Sequence, residues 1–192
     1  MKKTLHLFVV CTVLVIFIGC NVKLIVIEGY TNDYDKLNDS LKALVHPLVN
    51  FDSLEAENIY LITPELLKAE LARHEKSIVY IFYGEGCNSE FCRKPISFYE
   101  QFAADGGCQL FVVLTSYLPV EQAVTQKPNV PLFVVDNDYY NERRRFIYER
   151  YFLNDLIGYP TCTRYKDIPD EFKLANLFMY EYDKFVGVCD SI

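Results

Sequence analysis

Two cysteines, Cys87 and Cys92, occupy positions in the chain that could support thiol chemistry. They follow an apolar run, residues 77–83, and precede a segment with helical spacing, so we expect Cys87 at the start of a helix. Unpaired N–H groups and the positive end of the helix dipole favour a thiolate at such a position. A thiolate attacks disulfides, and a second cysteine nearby can resolve the mixed disulfide that forms.

The C-x4-C spacing sets a geometric condition on this pair. On a regular helix five residues rise about 7.5 Å, beyond the limit of roughly 7 Å between the Cα atoms of bridged cysteines. A bond between Cys87 and Cys92 therefore requires an irregular first turn, or Cys87 in the preceding loop, which Gly84 and Gly86 allow. Two alternatives stay open: a redox dithiol, or a structural disulfide formed in an oxidising compartment.

The elements that would position the cysteines alternate between strand and helix. The run at 77–83 is too apolar for an exposed edge, which favours a central parallel strand covered on both faces. Further patterns predict strands at 58–62, 109–115, 131–135 and 161–165, helices starting at Pro64, after Cys92, at 120–125 and at about 141–156, and a hairpin at 177–188. This order predicts an α/β fold with a central mixed sheet flanked by helices.

The N-terminal segment has the pattern of a targeting signal. Lys2 and Lys3 precede an apolar run, residues 7–18, which is typical of an export signal. Residues 17–20 resemble a bacterial lipobox ending at Cys20, which predicts either a signal peptide over 1–20 with lipid on Cys20, or one uncleaved membrane anchor over 7–27. Residues 21–57 are predicted as a linker with one short helix. Both alternatives place residues 30–192 outside the cytoplasm, tethered to a membrane of the bacterial cell envelope.

Three motifs in sequence order resemble the thioredoxin superfamily, and most closely its membrane-tethered envelope members. They are NIYLITPELL from Asn58, IVYIFYGEGC ending at Cys87, and Tyr159-Pro160-Thr161. The resemblance implies a thioredoxin-like sandwich over 58–192, with a cis peptide bond at Pro160. It also implies catalytic roles for Cys87 and Cys92 and a substrate groove formed by Tyr83, Tyr159, Pro160 and Thr161.

The same resemblance implies thiol–disulfide exchange with envelope proteins, whose thiols and disulfides are the partners, and no cofactor. Two positions depart from the family pattern: C-x4-C replaces C-x-x-C, and Ile81 stands where thioredoxins carry a buried aspartate. The alternative function is therefore a non-catalytic binding module of the same fold, in which Cys87 and Cys92 form a structural disulfide.

Charge and composition exclude other classes of function. Lys and Arg total 19 against 26 Asp and Glu, a net charge of −7, so nucleic acid is not expected as a partner. The three histidines are spaced unsuitably for a metal site with the cysteines, and no metal is expected. The pattern predicts that residues 143–145, beside Glu142 and Glu149, form a solvated helix face. Asp33 and Asp35 are predicted as turn residues.

Overall fold

The computed structural model describes residues 31–84, 94–173 and 175–189. In these residues seven strands form one mixed sheet in the spatial order β1-β2-β5-β4-β3-β6-β7. Strands β1 to β5 run parallel to their neighbours within this set, whereas β6 is antiparallel to β3 and β7 to β6. The strands are β1 Val45–Pro47, β2 Ile59–Ile62, β3 Lys76–Ile81, β4 Gln109–Leu114, β5 Leu132–Val135, β6 Leu177–Glu181 and β7 Lys184–Val188.

Helices cover both faces of this sheet. The α-helices are α1 Asp39–Lys42, α2 Pro64–Leu71, α3 Ile96–Asp105, α4 Val120–Thr125, α5 Arg145–Leu156 and α6 Asp170–Lys173. Short 3-10 helices lie at Tyr34–Lys36, Phe51–Ser53, Asn137–Tyr140 and Tyr165–Asp167. Helices α3 and α4 pack on one face against Tyr80, and α2 and α5 pack on the other against Val79. The chain is therefore an α/β fold with helices on both sides of a mixed sheet.

The central position of β3 explains its composition. Successive side chains of a strand point to opposite faces, so a strand covered on both sides is apolar at nearly every position. All residues from Ser77 to Ile81 are buried, and β3 lies between β4 and β6. The prediction of a central strand covered on both faces is confirmed.

Local signals fix the ends of two helices around this strand. The Oγ1 atom of Thr63 accepts a hydrogen bond from the Leu66 backbone N–H at 3.3 Å, and Pro64 occupies the first turn of α2. Helix α3 ends at Asp105 with Gly106 as its C-cap residue, and Gly107 adopts a positive φ of 63° before β4 begins. The predicted start of α2 at Pro64 is confirmed, and α3 begins after Cys92, as predicted, at Ile96. Cys87 precedes Ile96 by nine positions, so the expectation that Cys87 starts this helix is wrong.

The predicted strand at 161–165 is wrong, and so is the predicted cis bond at Pro160. No cis peptide bond occurs in the described part of the chain. The Asn154 side-chain amide donates hydrogen bonds to the carbonyl oxygens of Thr161 and Thr163 at 2.8 and 3.0 Å. These carbonyls are thus satisfied outside the sheet, and β6 takes the place beside β3.

Residues 31–57, predicted within a linker, pack onto the folded unit. Strand β1 pairs in parallel with β2, with Val45 opposite Ile59. Leu37 and Leu41 are buried in the same core cluster as the buried side chains of α3 and α4. The short helix predicted in this segment is α1, which ends at Lys42. Pro47 is tolerated in β1 because β1 is an edge strand. The boundary predicted at residue 58 therefore falls inside the sheet.

The predicted membrane tether, including Cys20, lies outside the described residues. Within 31–84, 94–173 and 175–189, no helix combines the length and the apolar character needed to cross a bilayer.

Candidate functional site

The carboxyl edge of the parallel strands carries the features of a binding site. In open α/β sheets, ligands bind where neighbouring strands send their following helices to opposite faces. Strands β4 and β5 are such neighbours, because α4 packs on one face and α5 on the other. The crevice at their carboxyl ends is next to Thr115, which follows β4 directly.

The predicted catalytic pair, Cys87 and Cys92, lies outside the described residues, but the chain on either side of it is described. Before the pair, Gly84 has a φ of 69°, and a Cβ there would lie 2.7 Å from Oε1 of Gln122. After it, the backbone N–H of Ile96 donates to Oε1 of Gln126 at 2.7 Å. Both ends of the segment that contains the cysteines are therefore held against α4 and its C-terminal flank.

A chain of buried and half-buried polar side chains lies at the same edge. The Thr115 hydroxyl donates to Oε1 of Glu149 at 2.7 Å, and Nε of Arg145 lies 3.6 Å from that oxygen. Nη1 of Arg145 donates to Oδ2 of Asp33 at 3.1 Å. The set links β4, α5 and the first described residues, so it ties three distant parts of the chain together.

Burial governs the electrostatics of this edge. Burial raises the pKa of Glu149, while the Thr115 hydrogen bond and Arg145 lower it less. Burial, followed by the Glu149 carboxylate, raises the pKa of the Tyr83 hydroxyl. Burial also raises the pKa of the Tyr148 hydroxyl, which has no hydrogen-bond partner. Glu149 therefore holds a proton to a higher pH than an ordinary glutamate.

A cavity of about 420 Å³ opens beside these groups, between α5 and residues 157–173. Its walls are mainly apolar and aromatic, and four polar or charged side chains of the described residues besides the tyrosines line it: Glu149, Arg150, Asn154 and Lys173. Pockets of roughly 300–1,000 Å³ with a few polar groups are typical of small-molecule and side-chain binding sites. We name this space the α5 pocket.

The structure separates the predicted substrate-groove residues. Tyr83 lines the α5 pocket, and Tyr159 contacts one of its walls, with its ring 6.5 Å from that of Phe172. Pro160 is exposed, and the Thr161 hydroxyl donates to Oδ1 of Asp155 at 2.5 Å. Neither Pro160 nor Thr161 lines the pocket. Of the four predicted groove residues, only Tyr83 lines it, and Tyr159 lies behind one wall.

Sequence reasoning missed the polar groups of this site. Arg143 and Arg144 are exposed as predicted, but Arg145 is only 23% exposed because it pairs with Asp33, which is itself 5% exposed. The prediction of a solvated Arg145 is therefore wrong. Asp33 is a turn residue as predicted, since its carbonyl oxygen accepts a hydrogen bond from the Lys36 backbone N–H at 3.1 Å, but its side chain is buried against Arg145. A signal was present: Arg145 and Glu149 are four residues apart on a helix that also carries the buried Phe152.

The other cysteines and acids offer no second centre in the described residues. Cys108 is half-buried, Cys162 is exposed, and neither is in a disulfide. No group of three or more His, Cys, Asp or Glu side chains in these ranges could hold a metal ion.

The chain matches no protein-family model, no curated protein and no solved structure.

Proposed function

We propose that this protein is a thioredoxin-like, membrane-tethered component of the bacterial envelope that exchanges thiols and disulfides with protein substrates. The observation that carries the proposal is the position of the cysteines in the chain. Along the chain, residues 87–92 come after the central strand β3 and before helix α3, and β3 ends at the carboxyl edge of the sheet. In open α/β sheets, ligands bind at the carboxyl edge of the strands.

The order of the elements supports the thioredoxin-like part of the proposal. Strand β2, helix α2 and strand β3 precede the cysteine segment, and helix α3, strand β4 and finally the β6–β7 hairpin follow it. Helices α4, α5 and α6 and strand β5 lie between β4 and the β6–β7 hairpin along the chain. Pro160 contributes nothing to this argument, because its bond is trans and no strand follows it.

The proposed exchange proceeds in two balanced steps. The Cys87 thiolate attacks one sulfur of a substrate disulfide, an S–S bond forms between them, and the other substrate sulfur leaves as a thiolate. The Cys92 thiolate then attacks the Cys87 sulfur and releases the second substrate thiolate. The substrate disulfide gains two electrons and the Cys87–Cys92 pair loses two, ending as a disulfide. A dithiol reductant is needed for a second turnover.

Trapping of the mixed disulfide tests this function. Cys92→Ser removes the resolving thiol, so envelope proteins should accumulate on Cys87 and be released by a reducing agent. Cys87→Ser should trap nothing, and Cys108→Ser, which removes a half-buried thiol elsewhere, should not alter trapping by the Cys92→Ser protein. Failure of the Cys92→Ser protein to capture any protein would contradict exchange.

A second candidate function is a binding module of the same fold without turnover. The α5 pocket favours it, because this cavity is built entirely from described residues and needs no cysteine. In this alternative, Cys87 and Cys92 form a structural disulfide. The absence of trapping, together with an unreactive Cys87 thiol, would favour the binding module over the exchange protein.

The tether is tested on the native N-terminus. Lipid on Cys20 or an uncut leader should both send the protein to the membrane fraction, and mass spectrometry distinguishes the two forms. Cys20→Ser should abolish the lipid mass in the first form and change only the residue mass in the second. A soluble, unlipidated chain that begins after residue 20 would contradict both forms.

A further inference from the structure

Among the described residues that line the α5 pocket, one cation, Arg150, has no counter-ion. Arg150 lines the pocket, and its Nε atom is buried with no hydrogen-bond partner. Its guanidinium carbon lies 5.4 Å from the centre of the Tyr151 ring, which is a cation–π contact and offers no acceptor. A buried donor on a charged group without an acceptor costs free energy, which an anion in the pocket would recover.

The other charged groups in the pocket wall already have partners. Lys173 pairs with Asp170, its Nζ lying 2.7 Å from Oδ1. Glu149 accepts the hydrogen bond from Thr115 and lies 3.6 Å from Nε of Arg145. Among the described wall residues two cations thus face one carboxylate, and the unpaired charge is that of Arg150.

The remaining wall supplies apolar surface. Phe178 and Ile168 are buried, and Leu153, Phe172 and Tyr165 complete much of the lining. An apolar body buried against these side chains gains about 25 cal/mol per Å² of surface removed from water. The cavity of about 420 Å³ falls in the size range of sites for small molecules.

We propose that the α5 pocket binds a small apolar monocarboxylate, whose carboxylate pairs with Arg150 and whose body lies against Ile168 and Phe178. A carboxylate suits a guanidinium because its oxygens accept hydrogen bonds from the planar fork of N–H groups. One negative charge neutralises the one unpaired cation, whereas a phosphate dianion would bring a second charge into a mostly apolar wall. This binding goes beyond the proposed exchange activity, because it requires neither Cys87 nor Cys92.

The chain has no tryptophan, so a single introduced tryptophan reports on this pocket alone. Phe146 lines the pocket and is 56% exposed, which makes Phe146→Trp a mild substitution. The full-length Phe146→Trp protein is titrated with octanoate, with 3-phenylpropanoate and with uncharged octan-1-ol. We expect a saturable fluorescence change with at least one of the two acids. Comparing the two acids shows whether the pocket prefers an aliphatic or an aryl body. Octan-1-ol should bind about tenfold more weakly or worse.

Three further substitutions in the Phe146→Trp protein assign the effect to one guanidinium. Arg150→Met should weaken acid binding by about tenfold or more and leave octan-1-ol binding unchanged. Arg150→Lys should recover part of the affinity, and thermal unfolding of both variants checks that they fold. Arg143→Met removes the same charge from an exposed position outside the pocket and should change nothing. Equal binding of alcohol and acid, no response to either acid, or no effect of Arg150→Met in a folded protein would overturn the proposal.

Discussion

The guanidinium of Arg145 lies 3.1 Å from the carboxylate of Asp33, a residue that precedes it by 112 positions in the chain. Asp33 is 5% exposed and also pairs with Lys36 at 2.8 Å. The contact joins helix α5 to the first described residues at the carboxyl edge of the sheet. The segment that follows the predicted tether therefore belongs to the folded unit.

Arg145→Met should destabilise the protein by about 2 kcal/mol, because it leaves the buried Asp33 carboxylate with only the exposed Lys36 as a charged partner, beside a hydrogen bond from the Thr31 hydroxyl at 3.4 Å. The loss should be smaller than the roughly 3–5 kcal/mol of a fully buried pair, since Arg145 retains some exposure. Denaturant unfolding of the full chain measures it. Arg164→Met, which breaks the exposed pair with Asp167, should cost less than about 1 kcal/mol. Equal losses in the two variants would contradict the structural role of Arg145.

Truncation tests whether residues 31–57 are part of the folded unit. A chain that begins at residue 30 should fold and give mixed α/β circular dichroism. A chain that begins at residue 58 loses strand β1 and the buried Leu37 and Leu41. It should unfold at a lower denaturant concentration, because removing one buried leucine side chain already costs about 2–5 kcal/mol. Equal stability of the two chains would show that the segment is a linker after all.

Glu149 should make the stability of the protein fall as the pH rises. Its pKa in the folded state is raised above the ordinary value of 4.5, so the folded state binds a proton more tightly than the unfolded state. Stability is therefore greatest below pH 4.5 for this group and declines as the pH rises through the folded pKa. Glu149→Gln should remove this decline, as measured by denaturant unfolding across pH 4 to 8.

Glu142 provides a control of opposite sign. Arg144 lowers the pKa of Glu142 to about 2, so its contribution is present above about pH 4.5 and is lost as the pH falls towards 2. The stability difference between the native protein and Glu142→Gln should thus grow with rising pH, whereas that for Glu149→Gln should shrink. The same direction for both variants would contradict the burial of Glu149.

Asn154 should hold the segment after α5 against the body. Its side chain is fully buried and donates to two backbone carbonyls of that segment. Asn154→Ala should cost about 2 kcal/mol, because both acceptors lose a protein partner. It should also speed amide hydrogen exchange in residues 157–168. Asn129→Ala removes an exposed hydrogen bond to Glu100 and serves as control; a similar loss in that variant would count against the role of Asn154.

The fold could be predicted from the sequence wherever one local pattern decides the structure. The buried run of β3 and the Thr63-Pro64 start of α2 are such places, because burial on both faces and capping leave direct marks on residue type. The strand expected at 161–165 failed because the side chain of Asn154, which comes from another element, satisfies the backbone there.

The pairing of Arg145 with Asp33 could not be predicted, for a related reason. Arg145 pairs with Asp33 across 112 positions, and residue types alone do not reveal such a distant contact. Arg143, Arg144 and Arg145 carry the same side chain, yet only the last is mostly buried. The α5 pocket is likewise formed by segments that meet only in the folded chain, and only Tyr83 among its lining residues was predicted.

The reduction potential of the Cys87–Cys92 pair tests the central claim most directly. The measurement is made on the full chain equilibrated in redox buffers, with Cys87→Ser as the control that cannot form the pair. Exchange with substrates predicts a potential more oxidising than about −300 mV, in the range of labile and catalytic disulfides. A potential below about −300 mV would identify a structural disulfide and contradict the proposed thiol–disulfide exchange.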